Sequence, residues 1–155
     1  MALPEEGKAA PAFTATAQTG EKITLNDYKG KKNVGLYFYP KDDTPGCTRE
    51  ACSFRDFRKT LEEKETVILG VSRDGAASHQ KFSEKYQLPF LLLCDEKEEL
   101  CNKYGVIQEK NMYGKKSMGV VRSTFVIGKD GKIKKIFRNV KVDGHTDQVL
   151  KALEG

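Results

Sequence analysis

The sequence predicts an α/β domain, and three observations predict it. Strand-like and helix-like segments alternate along the chain. Two of the strand-like segments are continuous apolar runs of the kind buried on both faces. A strong hairpin signal, Lys129-Asp130-Gly131, follows near the carboxyl end. In order, residues 1–30 form an arm punctuated by Gly20 and Gly30. Residues 34–39 are a buried strand stopped by Pro40, and 48–64 read as a helix. Residues 66–72 are a second buried strand, 76–86 a helix, 90–93 a short strand and 96–104 another helix. Residues 120–127 and 132–138 flank the hairpin turn. Residues 143–153 close the chain as a helix with Val149, Leu150 and Leu153 on one side. No linker, repeat or low-complexity tract intervenes. A chain of 155 residues with 38% hydrophobic content supports one core, so residues 1–155 are read as one domain.

Strand-helix-strand first and hairpin-then-helix last resembles a thioredoxin-like fold, which implies a central mixed sheet flanked by helices, here with an N-terminal extension. In open α/β sheets, ligands bind beyond the carboxyl ends of the strands. That is where the first central strand passes into its helix.

Composition narrows the function. Basic and acidic residues number 27 and 22, giving a net charge of +5, but the signs are interspersed. The densest basic stretch, 129–135, is interrupted by Asp130, so no nucleic-acid stripe forms. No segment approaches the roughly 18 apolar residues of a membrane span. Residues 1–8 carry no signal-peptide core, so the expected compartment is the reducing cytoplasm. In that compartment four cysteines argue for catalysis or metal rather than a disulfide framework. The gaps from Cys47 to Cys52 and from Cys94 to Cys101 do not fit zinc spacing, and neither His79 nor His145 is near a cysteine in sequence.

The run Tyr39-Pro40-Lys41-Asp42-Asp43-Thr44-Pro45-Gly46-Cys47-Thr48-Arg49-Glu50-Ala51-Cys52 joins a strand-like segment to a helix-like one. Cys47 therefore falls in the first helical turn, where free N–H groups and the helix dipole favour a thiolate. At about 100° per residue, Cys47, Ala51, Phe54, Phe57 and Leu61 share an apolar face, while Cys52 falls among Arg49, Asp56, Lys59 and Glu63. A cysteine on a polar stripe suggests a chemical role, the alternative being an inert surface thiol. Five residues of intact helix advance about 7.5 Å. A disulfide needs Cα atoms within roughly 7 Å and facing side chains. The two thiols can join only if the helix start unwinds, for which Pro45-Gly46 provides a stiff joint beside a permissive one.

At these residues the chain resembles a peroxiredoxin, and more narrowly the peroxiredoxin Q or bacterioferritin comigratory protein subgroup. The family pattern of proline, three residues, threonine or serine, two residues, cysteine is met by Pro40, Thr44 and Cys47. Arg122-Ser123-Thr124-Phe125-Val126-Ile127 matches the segment carrying the family's arginine. Ala10-Pro11-Ala12-Phe13, Leu88-Pro89-Phe90 and Gly144-His145 also match, so the likeness runs nearly end to end.

The resemblance implies a peroxidase reducing hydrogen peroxide and organic hydroperoxides. Cys47 would be the peroxidatic thiolate, oxidised to a sulfenic acid. Arg122 would hold positive charge beside it and stabilise charge developing in the transition state. Thr44 would orient peroxide and thiolate, the Gly46 and Cys47 N–H groups would donate to peroxide oxygens, and Pro40 would shape the pocket. Cys52 matches the resolving cysteine, condensing with the sulfenic acid to an intramolecular disulfide that thioredoxin or a similar dithiol reduces. No metal or organic cofactor is implied, and a monomer is expected.

Other residues keep two readings. Cys94 and Cys101 are buried small side chains or a second redox pair. Residues 109–118, with Met112, Tyr113 and Met118, are apolar pocket lining or a surface loop. His79 and His145 are expected in structural or solvent-facing roles. A thiol-disulfide oxidoreductase would place two residues between its cysteines rather than four, and would leave Thr44 and Arg122 unexplained. A chaperone-like or metal-binding module would need a cysteine cluster that the spacing does not supply.

Overall fold

The computed structural model describes residues 3–154, with the side chains of residues 110–112 excepted. Met112, one of the residues considered for pocket lining, thus lies outside the described side chains. Among the described residues the main sheet has seven strands: β1 (Thr14–Ala17), β2 (Lys22–Thr24), β3 (Asn33–Phe38), β4 (Thr66–Ser72), β5 (Leu91–Cys94), β8 (Ser123–Ile127) and β9 (Ile133–Arg138). Their order is β2-β1-β5-β4-β3-β8-β9. β3 runs parallel to β4 and β4 to β5, while the remaining pairs are antiparallel. The sheet is therefore mixed, as expected of a thioredoxin-like fold.

β3 and β4 are central because both of their faces are apolar. Val34, Leu36 and Phe38 point into one core with Tyr104 and Phe125. Tyr37 and Tyr39, one residue out of phase, point into a second core with Cys47, Ala51 and Phe54. Gly70 on β4 leaves the space that the Tyr37 ring fills: a Cβ there would lie 3.0 Å from that ring. This second core is the floor on which the helix carrying Cys47 rests.

The helices are α1 (Pro45–Asp56), α2 (Arg58–Glu63), α3 (Ala76–Tyr86), α4 (Glu99–Lys103) and α5 (His145–Glu154). Strand 66–72 and helix 76–86 agree with the sequence reading to the residue. The single helix expected over 48–64 is two. The chain leaves helical geometry at Phe57 (φ −97°, ψ 14°), and the bend lets Leu61 join Phe54 and Ile68 in the second core. The helix expected over 96–104 is only five residues long. Glu98 takes a left-handed φ of 62°, and the chain enters α4 directly from it.

The surface loop or pocket lining considered for 109–118 is instead a hairpin of β6 (Ile107–Met112) and β7 (Lys115–Val120). Its turn residues, Tyr113 and Gly114, both have positive φ, as a tight two-residue hairpin turn requires. Tyr113 is fully exposed and so lines no pocket. The strand expected over 120–127 is interrupted at Val121-Arg122, where the chain passes from this hairpin into β8. The N-terminal arm contributes β1 and β2, which extend the sheet beyond β5. No described helix is long and apolar enough to cross a membrane.

Candidate active site

Thr44 is the residue before α1 and has extended backbone (φ −96°, ψ 156°), so Pro45, Gly46 and Cys47 are the first three helical residues. Proline suits this start because its missing N–H would have no intrahelical partner anyway. The Gly46 and Cys47 N–H groups have no helical acceptor ahead of them, whereas the Thr48 N–H donates to the Thr44 carbonyl at 2.8 Å. Cys47 is thus a third-position thiol at the positive end of a twelve-residue helix, and it is 1% exposed.

Arg122, 75 residues further along, reaches this thiol from the β7–β8 junction. Its Nη2 donates to Cys47 Sγ at 3.2 Å and its Nη1 to Glu50 Oε1 at 2.7 Å. Gly46 makes the approach possible, since a Cβ there would stand 3.1 Å from Nη2. The thiol and the arginine expected beside it are in contact in the structure.

Glu50 was not singled out from sequence, although it follows Cys47 by three residues and so shares its face. It is 1% exposed, with Oε2 unpartnered among the described residues. Burial pushes its carboxyl up from the usual 4.5 to about 7, against the opposing pull of Arg122. The hydroxyl of Tyr37, beneath the same helix, is likewise buried without a partner, and its pKa is raised, first by burial and next by Glu50. The signal that could have found Glu50 is a carboxylate on an otherwise apolar helical face.

Thr44 places its hydroxyl on the Lys41 carbonyl at 2.9 Å, which commits its proton and leaves its oxygen free to accept. Pro40 is half-buried, in the loop between β3 and α1, and its peptide bond is trans. Cys52 is half-buried on another side of α1. All four cysteines are free thiols. Cys101 is buried and Cys94 half-buried, and the structure raises both thiol pKa values: burial acts first, with Asp95 next for Cys101 and Glu96 next for Cys94.

The histidines are both buried, which removes the solvent-facing reading. His145 Nε2 pairs with Thr124 Oγ1 at 2.7 Å and Nδ1 with Gln148 Oε1 at 3.0 Å. Burial lowers its pKa. His79 pairs with Asp42 Oδ2 through Nδ1 at 2.6 Å and with the Leu93 carbonyl through Nε2 at 2.9 Å. Among the described residues Asp42, Asp74 and His79 form the one grouping with metal-ligand potential, and their polar atoms are already engaged with one another and with neighbouring hydroxyls.

Residues 7–136 match the AhpC/TSA family. The chain is 48% identical over 150 residues to Peroxiredoxin Bcp of Bacillus subtilis, covering 97% of this chain and 95% of that one. It is 41% identical over 148 residues to Peroxiredoxin Bcp of Escherichia coli, covering 96% and 94%. Among solved structures it is similar to a PrxQ variant of Xylella fastidiosa (TM-score 0.92, 35% identity, 99% and 98% covered). It is also similar to a bacterioferritin comigratory protein of Xanthomonas campestris, solved in trapped-intermediate and ligand complexes to explain its alkyl peroxide reduction (TM-score 0.87, 42% identity, 92% and 90% covered). On the family match and these identities, the chain belongs to the AhpC/TSA family and, within it, to the peroxiredoxins of the Q or Bcp kind, oxidoreductases that reduce peroxides.

Proposed function

We propose that this chain reduces hydrogen peroxide and organic hydroperoxides with Cys47 as the peroxidatic thiol and Cys52 as its resolving partner. The observation that supports this most directly is the Arg122 Nη2 contact of 3.2 Å to a thiol in the first turn of α1. The thiolate attacks one peroxide oxygen, the O–O bond breaks, and the departing oxygen takes a proton to leave as water or an alcohol. Cys47 becomes a sulfenic acid, two electrons poorer. Arg122 and the Gly46 and Cys47 N–H groups supply fixed donors where negative charge moves from sulfur to oxygen. The free lone pair of Thr44 Oγ1 accepts from the peroxide's proton, and Pro40 bounds the pocket. The bacterioferritin comigratory protein of Xanthomonas campestris, with its alkyl peroxide reduction, supports including organic peroxides.

Resolution requires Cys52 sulfur to displace the sulfenic hydroxyl as water, forming the Cys47–Cys52 disulfide. The thiols lie on different sides of α1, so its first turns open for this step. Opening breaks the Arg122 bonds to Cys47 and Glu50, and loosens Arg49–Asp143 (2.7 Å) and Ser53–Thr146 (2.6 Å). A thioredoxin-like dithiol then returns the pair to thiols, being oxidised itself. We place the cycle in the cytoplasm, in a monomer formed by one domain over residues 1–155. No metal or organic cofactor enters any step.

The test is intact-mass spectrometry of reduced protein after one equivalent of hydrogen peroxide. Wild type is expected to lose two hydrogens, Cys52→Ser to stop at a trappable sulfenic acid, and Cys47→Ser to stay unchanged. Oxidation of Cys47→Ser at the wild-type rate would overturn the assignment. Turnover with thioredoxin, its reductase and NADPH checks the reductant, and sedimentation checks the monomer.

A further inference from the structure

The five residues before α1 are fastened to α3 by two consecutive aspartates, one inside the protein and one outside. Asp42, 7% exposed, accepts at Oδ1 from the Tyr39 hydroxyl (2.5 Å) and at Oδ2 from the Ser78 hydroxyl (2.8 Å), with His79 Nδ1 also on Oδ2 (2.6 Å). The other ring nitrogen of His79 donates to the Leu93 carbonyl at 2.9 Å. The Asp42 N–H donates to Asp74 Oδ2 at 2.9 Å, and the Ser72 hydroxyl steadies the same oxygen at 2.6 Å. Asp43, with φ of 56°, turns outward and accepts from Lys85 Nζ and the Tyr86 hydroxyl, both at 2.8 Å. One loop is thereby joined to β4, to α3 and, through His79, to β5.

Beyond this loop α1 is held by Arg122, which bonds Cys47 and the buried Glu50, by the exposed pair Arg49–Asp143 and by the single hydroxyl pair Ser53–Thr146. Near its carboxyl end Arg55 reaches the Tyr86 carbonyl at 2.7 Å. An exposed ion pair contributes little, whereas breaking a buried, multiply bonded carboxylate such as Asp42 is costly.

We propose that Asp42 and His79 are positioning residues for the peroxide reaction. They hold the Pro40–Thr44 loop to the sheet and α3, so that α1 opens from Thr44 onward while the loop stays in place. Neither residue touches the thiol. Both act through Thr44, whose hydroxyl is fixed by the carbonyl of Lys41, next to Asp42. This inference rests on the reading that Cys47 is the thiol that peroxide oxidises and Cys52 the one that resolves it.

Two measurements test it. The first is the rate of Cys47 sulfenic acid formation in a Cys52→Ser background, by rapid quench and mass spectrometry, alongside the rate of disulfide closure when Cys52 is present. Asp42→Ala and His79→Ala are expected to slow sulfenic acid formation about tenfold or more, since small misplacements of reacting groups are costly. Disulfide closure should not slow. Asp42→Asn, which keeps the shape and a polar group toward Tyr39, Ser78 and His79, should recover most of the oxidation rate. Oxidation at the wild-type rate in folded Asp42→Ala and His79→Ala, checked by far-UV circular dichroism, would overturn the proposal.

The second needs no variant: hydrogen exchange of the reduced and disulfide forms. The Asp42 amide should stay protected in both, while the amides of residues 48–51 lose protection on oxidation. Equal loss at Asp42 would overturn it. If wild type forms no Cys47–Cys52 disulfide at all, the functional reading fails first, and that outcome is read from the mass alone.

Discussion

Two helices in this molecule carry a cysteine at their third residue, and the two helix starts meet opposite surroundings. In α1 the residue is Cys47, after Pro45 and Gly46. In α4 it is Cys101, after Glu99 and Leu100. Both thiols are buried. The difference lies in what meets the helix start. At α4 the buried carboxylate of Asp95 accepts from the Leu100 and Cys101 N–H groups at 3.0 and 2.9 Å. Those donors are consumed, and a negative charge stands beside the sulfur. At α1 no side chain caps the turn, and Arg122 faces the sulfur instead. Position in a helix offers a thiol reactivity; the partner of the free N–H groups decides whether it is used.

The sharpest way to break this comparison is to remove each thiol. Cys47→Ser is expected to abolish peroxide-dependent thiol loss, whereas Cys101→Ala should leave its rate within about twofold, because a buried thiol beside a carboxylate has little thiolate to offer. Mass spectrometry after one equivalent of peroxide reads both. A peroxide-insensitive Cys101→Ala that is properly folded would show the two helices to be coupled in a way their separate surroundings do not suggest.

Next in size is the cation. Arg122→Ala removes the donor to Sγ and should lower the second-order rate of Cys47 oxidation about 10²–10³-fold, the usual cost of losing one preorganised donor. Arg122→Lys should recover only part of this. A single ammonium cannot hold Sγ and Glu50 at once in the way that two guanidinium nitrogens do.

Glu50 sharpens the comparison through pH. Its folded carboxyl lies near 7 against 4.5 for the ordinary group, so between those values the folded protein holds more protons than the unfolded chain. Stability contributed by Glu50 must therefore be greatest below pH 4.5 and fall as pH rises to 7, by about 3 kcal/mol in all. Urea titrations of Glu50→Gln across this range should lack that fall. A wild-type curve that rises from pH 5 to 7, with the same slope in Glu50→Gln, would show the carboxylate to be comfortably ionised in place.

Much of this contrast was legible in the sequence, and the missing part has a physical reason. The proline, threonine and cysteine of the loop and the distant Arg122 form a linear pattern, and β3, β4 and α3 follow from local periodicity and punctuation. The break at Phe57 answers to packing of Leu61, which no local signal records. The β6–β7 hairpin hid because its strands carry charged and polar residues with no buried stripe over most of their length. Glu50 and Asp42 were missed, and His79 was left between a structural and a solvent-facing role, because a polar residue reads as solvated until its burial is known. Each of the three is nevertheless within five residues of Cys47 or buried against a residue that is.

The smallest expected effect comes from trying to make α4 resemble α1. Asp95→Asn removes the charge beside Cys101 but leaves the thiol as deep as before. Burial is the larger cause of the raised thiol, with Asp95 second. Native-state alkylation of Cys101 by iodoacetamide should therefore rise only a few-fold, far short of Cys47, while all four cysteines label alike in denaturant. If Cys101 in Asp95→Asn labelled as fast as Cys47, the carboxylate alone would have been holding it silent. The charge of Asp95, more than the absence of an arginine, would then be what separates Cys101 from Cys47.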